Sequence, residues 1–249
     1  MSSIFVNTLK STTGNTILIP AGHSLSLDGT VVTNNSLVPN PNGHNGEILR
    51  SDGSSLGWGT SGAKNIIQYT SSGTYFPSSG TRLVHVRVVG CGGGGSGYAE
   101  SGGSGGYAEG FFSMVGVSQV SITVGTGGTA TYYSSGAGTG GSVSFGSYIT
   151  CNGGTGANSA HQHCGGLGGS ASGGTINLYG GGGTGHGYNG RGGQNFFGGC
   201  GASGHPQGGA YANNHRSHSV PGTGGVNGWA RRDPGNVGIE GQVVIWEYS

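Results

Sequence analysis

Alternation of apolar and polar positions picks out a set of β-strands. In RLVHVRVV, residues 82–89, Val84, Val86 and Val88 fall on one face. His85 and Arg87 share the other with Leu83 and Val89. VSITV, 120–124, sets Val120, Ile122 and Val124 on one side, and SVSFGSYIT, 142–150, does so with Val143 and Phe145 before reaching Tyr148. In QVVIWEY, 242–248, Val244, Trp246 and Tyr248 alternate with Val243, Ile245 and Glu247. With IIQY (66–69) and GFFSMV (110–115) about six strands are available, enough for a small β-sandwich platform. Helical periodicity is absent throughout, and the density of glycine opposes it.

Ahead of these strands the pattern is sparser. Ile17, Ile19, Leu25 and Leu27 alternate with small or polar residues across the turn Pro20–Ala21–Gly22, and Asp28–Gly29 predicts a tight hairpin. Residues 37–63 read as a linker carrying one shaft-like hairpin, with Asp52–Gly53 at its turn and Trp58 as its anchor. Three parts are expected: an N-terminal β segment (1–36) for attachment or trimerisation, this linker (37–63), and a glycine-rich C-terminal domain (64–249).

Composition changes the picture most in that last part. Glycine supplies 62 of 249 residues, and charged residues only 7%. Between the strand at 142–150 and the terminal strand lies a long glycine-dominated insertion, with runs such as CGGLGGSASGG (164–174) and GGGGTGHG (180–187). A compact domain does not carry so long a loop without structure inside it. Consecutive glycines have one further option, the left-handed threefold helix of the polyproline II type, rising about 3.1 Å per residue. Such rods have no internal hydrogen bonds. Without Cβ atoms they can approach closely enough to satisfy one another's N–H and C=O groups. The expected fold is therefore mainly β, a small sandwich with a polyglycine-II-type insertion and essentially no helix.

A stack of glycine rods has almost no interior side chains, so recognition falls to the turns between rods. The segments TATYYSS (129–135), ANSAHQH (157–163), HGYN (186–189), QNFF (194–197), HPQGGAYANNHRSH (205–218) and WARRDP (229–234) mix aromatic and basic residues with small polar ones. That is the composition of surface-binding loops.

Charge and motif limit the alternatives. The net charge is +1 and only Arg231 and Arg232 are adjacent among the basic residues, so no phosphate-binding face is expected and nucleic acid is not a partner. No apolar run is long enough to cross a membrane, and the N-terminus lacks the pattern of a signal peptide. Synthesis in a cytoplasm is the expectation. Cys91, Cys151, Cys164 and Cys200 match no zinc spacing; buried thiols, disulfides and a metal site stay open. Eight acidic residues with no telling pair speak against glycoside cleavage. Glycine-rich matches to phosphate loops and nucleophile elbows are chance products of composition, so neither an enzyme nor a cofactor is expected.

The strand RLVHVRVVGCGGGG, the segment GGSGGYAEGFFSM, VSITVGTGG and the closing GIEGQVVIWEYS together resemble the glycine-rich domain of bacteriophage tail-fibre proteins, over roughly residues 64–249. NGEILRSDGSSLGW (45–58) is similar to a motif of phage fibre shafts, and the glycine-rich stretch resembles the tip adhesins of T-even-like phages. The resemblance implies a virion protein that is likewise a receptor-binding adhesin. It would hold an outer-membrane protein or a surface glycan of the host through distal loops, with other fibre or tail proteins as partners and a homotrimer as its assembly. An N-terminal counterpart of the T-even tips' attachment domain is not visible.

The residues expected to contact receptor are Tyr132, Tyr133, His161, His163, Tyr188, Phe196, Phe197, Tyr211, His215, Arg216, His218, Trp229, Arg231 and Arg232. Phage fibre trimers can hold iron through His-x-His. For His161–Gln162–His163 that reading stands beside a receptor-facing loop and plain packing. A structural fibre or decoration protein is the rival function. Ice binding would want a flat, strictly periodic face, which this sequence lacks.

Overall fold

The computed structural model describes residues 24–27, 30–33, 47–51, 56–60, 62–97, 100–132, 136–157, 165–185, 191–199, 202–203, 215–216, 220–226 and 235–249. The chain divides into two units, Met1–Gly62 and Ala63–Ser249. No helix occurs among the described residues.

The first unit contains two hairpins. Strands β1 (Ser24–Leu27) and β2 (Thr30–Thr33) pair with Leu27 opposite Thr30; Asp28 and Gly29, expected as the turn between them, lie outside the described residues. Strands β3 (Glu47–Ser51) and β4 (Leu56–Thr60) pair with Leu49 opposite Trp58, which is half-buried. Ile17, Ile19 and Asp52–Gly53 lie outside the described residues.

The second unit is a sandwich of two antiparallel five-stranded sheets. One has the order β13 (Ile176–Leu178), β8 (Tyr107–Ser113), β7 (Leu83–Val89), β16 (Gln242–Tyr248), β5 (Asn65–Tyr69). The other runs β12 (Ala171–Ser172), β11 (Ile149–Cys151), β10 (Val143–Phe145), β9 (Val120–Val124), β6 (Gly73–Tyr75). The short strands β14 (Ala202–Ser203) and β15 (His215–Arg216) pair with each other. Val84, Val86 and Val88 of β7 and Val243 and Ile245 of β16 face Ile122, Val143, Phe145 and Ile149 across one apolar core. The period-two alternation read from the sequence places these residues correctly, because the two sheets meet through one face each and most positions on the other face are more exposed.

Two strand expectations shift. Residues 142–150 are a hairpin rather than one strand: Gly146 takes φ of +50°, reversing the chain so that Phe145 pairs with Ile149. The strand expected at 110–115 begins earlier, at Tyr107, where the glycine run ends.

The glycine segments form straight rods, not loops. In chain order they are rod 1 (90–97), rod 2 (100–106), rod 3 (125–132), rod 4 (136–142), rod 5 (152–157), rod 6 (165–170), rod 7 (180–185), rod 8 (191–195), rod 9 (221–226) and rod 10 (235–241). Successive amides of rod 1 identify the conformation. Gly90 and Gly93 donate to Gly106 and Gly103 of rod 2. Cys91 and Gly94 donate to Gly141 and Gly138 of rod 4, and Gly92 and Gly95 to Ile239 and Asn236 of rod 10. Every third amide returns to the same neighbour, which is the period of a threefold helix and not of a strand. Carbonyls of rod 1 accept in turn from Gly128 and Thr131 of rod 3, Gly154 and Ala157 of rod 5, and Gly225 of rod 9.

Rod 1 is thus bonded to six neighbours. Rod 2 is as well: it donates to rods 5, 7 and 9 and accepts from rods 1, 6 and 8. Bonds among the outer rods close the pattern into three layers: rods 4, 5 and 6; rods 3, 1, 2 and 7; and rods 10, 9 and 8. Only rods 1 and 2 are wholly enclosed, and every described residue from Val88 to Gly106 is buried.

Glycine is required here by proximity. A Cβ on Gly92 would lie 1.8 Å from the carbonyl oxygen of Thr223, and one on Gly103 would lie 2.0 Å from that of Leu167. Where the enclosed rods do carry side chains, these are Cys91, Ser96, Ser101, Ser104 and Glu100.

The rods are not confined to one insertion. The first four precede Asn152, and most rods are direct extensions of strands: β7 runs on into rod 1, rod 2 into β8, β9 into rod 3, rod 4 into β10, β11 into rod 5, β13 into rod 7 and rod 10 into β16. The sandwich and the bundle share their strand axes.

Candidate functional site

This continuity decides where the chain turns. At the end away from the sandwich, the chain leaves the bundle after residues 97, 132, 157, 185 and 226, and re-enters at 100, 136, 165, 191 and 235. Hydrogen bonds show that these exits share one level. Gly97 and Gly235 both donate to the carbonyl of Thr131, Ala137 donates to that of Ala157, and Thr184 to that of Arg191. Five separate connections therefore start and finish on a single face, which we call the distal end.

The expected receptor-contacting residues divide accordingly. Tyr132 closes rod 3 at the distal end and is 57% exposed. Tyr133, His161, His163, Tyr188, Tyr211, His218, Trp229, Arg231 and Arg232 lie outside the described residues. Of these, Tyr133, His161, His163, Tyr188, Trp229, Arg231 and Arg232 belong to sequence segments that the distal exits bracket. Phe196 and Phe197 follow rod 8 at the opposite end, beside the sandwich. Phe196 stacks on Tyr107 at 4.0 Å between centroids, and Phe197 meets the same ring edge-on at 5.6 Å. His215 and Arg216 form β15 in the same sandwich-side excursion between rods 8 and 9. Tyr132 and the pair Phe196 and Phe197 thus lie at opposite ends of the bundle.

One described residue at the distal end was not singled out from the sequence. Glu100 opens rod 2, immediately after the connection between the two enclosed rods. Its backbone carbonyl accepts from the Ser96 amide at 2.9 Å. The residue is 5% exposed, and Oε2 receives no hydrogen bond from the described residues. An isolated Glu in a glycine run gives no sequence signal of burial; only the layer map does.

A second surface, also unflagged, is the outer face of the β7-containing sheet. Pairing sets His85 opposite both Phe111 and Trp246, and the imidazole is stacked between those rings at 4.6 and 5.1 Å. Arg87 lies over Trp246 at 5.0 Å and bonds Glu109 Oε2 through Nε at 2.8 Å; Tyr107 donates to the same oxygen at 2.8 Å. Burial raises the Glu109 carboxyl, but the bonds from Tyr107 and Arg87 prevail and hold it below the usual range. The alternation gave His85 and Arg87 their common face. What it lacked was the lateral register that makes Phe111, His85 and Trp246 a row.

Cys91 and Cys151 are buried free thiols; Cys164 and Cys200 lie outside the described residues. Among the described residues, no cluster of three or more His, Cys, Asp or Glu could hold a metal. The His161–Gln162–His163 segment lies outside them.

The fold and this end define a class: a two-sheet β-sandwich whose strands continue into a hydrogen-bonded bundle of glycine rods that brings five of its connections to one face. The chain belongs to the glycine-rich domain family, whose model matches residues 68–246. Among curated proteins no match was found.

Proposed function

We propose that this protein is a receptor-binding adhesin of a bacteriophage tail fibre, gripping the host surface through the connections at the distal end of its rod bundle. The observation that supports this most is the convergence of five connections on one face of a scaffold with almost no side chains of its own. Such a scaffold separates stability from recognition. The rods are held by backbone bonds, each contributing about 1 kcal/mol net, so the sequence of the connections is free to vary without unfolding them. Tyr133, Tyr188, Trp229, Arg231 and Arg232 supply the aromatic and cationic groups that anchor binding surfaces. Aromatic rings stack on sugars or fill pockets of an outer-membrane protein, and the arginines pair with phosphate or carboxylate groups. The phage assignment rests on the resemblance of the sequence to fibre proteins. In this reading the residues before Lys64 join the chain to the virion, as a trimer or on another fibre protein, and the role is adhesion without catalysis.

Adsorption tests it. Fluorescently tagged full-length protein is incubated with a panel of bacterial strains beside two variants. In these, residues 227–234 or residues 158–164 are replaced by Gly-Ser linkers of equal length. Binding to a narrow set of strains, lost in either variant while the fold persists, supports the adhesin. Folded protein that adsorbs to no strain overturns it in favour of a structural fibre component.

A further inference from the structure

The layer map gives Glu100 a special position. Rods 1 and 2 are the two enclosed rods, so Gly97 and Glu100, where rod 1 ends and rod 2 begins, lie at the centre of the distal end, with the other rods arranged around them. Glu100 is the only acidic side chain carried by either rod. It is 5% exposed, and Oε2 is buried with no hydrogen-bond partner among the described residues. Around it the rods supply glycine and serine backbone whose amides are already engaged: Ser96 N bonds the Glu100 carbonyl, Gly97 N that of Thr131, Ser101 N that of Thr184 and Gly102 N that of Gly225.

A buried carboxylate oxygen without a partner is costly, and an unsatisfied group in a native structure calls for a specific explanation. A neutral donor such as water would satisfy the lone pairs but leave the charge uncompensated. A cation does both. We infer that the Glu100 carboxylate is the acceptor of a cation-binding site at the centre of the distal end, taking a metal cation or an ammonium or guanidinium group of the surface that the tip grips. The second source rests on the adhesin reading; the site itself does not.

The test uses full-length protein carrying 13C at the glutamate carboxyl carbons, with the Glu100 signal assigned by its disappearance in Glu100→Gln. If that variant fails to fold, Glu100→Asp gives the assignment instead. The protein is titrated at neutral pH with calcium chloride and, separately, with ethylammonium chloride, holding ionic strength with choline chloride. A saturable shift of the Glu100 carbon, with the Glu109 and Glu247 carbons unmoved, is the expected result. A response to calcium identifies a metal site, and a response to ethylammonium alone identifies a site for a receptor's cationic group. A Glu100 carbon that answers neither salt, or that has the shift of the protonated acid at neutral pH, overturns the inference. Wild-type protein that responds here but adsorbs to no cell would sink the adhesin reading and leave the site standing.

Discussion

The hydroxyl of Tyr75 donates a 2.6 Å hydrogen bond to Oε1 of Glu247, tying the edge strand β6 of one sheet to the closing strand β16 of the other. Glu247 is fully buried, on the face where alternation would place an apolar side chain. It is tolerated because its oxygens are satisfied. Ser78 donates to Oε1 through its amide at 2.9 Å and to Oε2 through its hydroxyl at 2.6 Å.

Removing one donor from this carboxylate leaves part of its charge unsatisfied. Tyr75→Phe is expected to lower stability by about 1–3 kcal/mol. Acid should act in the same way. Burial raises the Glu247 pKa, but the bonds from Ser78 and Tyr75 overcome it, so the folded value lies below the ordinary 4.5. A depressed carboxyl contributes stability that is complete above the unfolded pKa and lost as pH falls through the folded one. Urea midpoints should therefore hold steady down to about pH 5 and then drop, more steeply in wild type than in Glu247→Gln. Equal slopes in the two proteins would mean that Glu247 is not the group responsible.

Steric demand separates glycines that the rods require from those they do not. A Cβ on Gly103 meets the Leu167 carbonyl oxygen at 2.0 Å, whereas one on Gly136, at the exposed start of rod 4, meets nothing within 4 Å. Gly103→Ala must push rods 2 and 6 apart and break bonds on both, with an expected loss of about 3 kcal/mol or more. Gly136→Ala restricts the unfolded chain at no steric cost, so a gain of up to about 1 kcal/mol is expected. Thermal midpoints of the two variants decide the point. Comparable midpoints would contradict the close-packed bundle.

Much of the sandwich was legible in the sequence because one-sided burial writes a period of two into β7, β9 and β16. The polyglycine conformation was legible too, since runs such as GCGGGGSG admit few alternatives. Its placement was not. The rods begin at Gly90 and extend the strands, yet a side-chain pattern cannot show which glycine amide bonds which carbonyl, because glycine has no side chain to pattern. For the same reason Glu100 reads as one acid among few, and nothing in QNFF shows that Phe196 and Phe197 pack beside the sandwich. Their packing on Tyr107 depends on a reversal of direction after rod 8 that no local motif announces.

The row Phe111, His85, Trp246 implies a proton-dependent stability. Burial lowers the His85 pKa from its ordinary 6.5, Arg87 lowers it further, and Glu109, with Oε2 at 3.4 Å from Nε2, opposes both without cancelling them. The unfolded chain then takes up a proton more readily than the folded one. Stability should be complete above pH 6.5 and decline as pH falls from there toward the folded pKa. An imidazole NMR titration is expected to show His85 with a midpoint below 6.5, and His85→Phe should flatten the stability profile over that window. A midpoint above 6.5 would mean that Glu109 dominates.

The enclosed thiols should behave as packing groups with hydrogen bonds rather than as reactive sites. Burial pushes the Cys151 thiol up to about 12 and raises that of Cys91 as well. Little thiolate then exists near neutrality, and a disulfide reagent should label neither residue in native protein whose Cys164 and Cys200 have been changed to serine. Both should react once unfolded. The two differ in what they hold together. Cys91 Sγ donates to the Gly125 carbonyl at 3.1 Å and accepts from the Gly241 amide at 3.2 Å, joining the starts of rods 1 and 3 to the end of rod 10. Cys91→Ala strands both of those backbone groups, the Gly241 amide in a buried position, and is expected to cost about 1–3 kcal/mol. Cys91→Ser keeps a donor and an acceptor at the same place and should recover most of that loss. If serine proves as destabilising as alanine in urea unfolding, the sulfur matters for its volume and not for its hydrogen bonds.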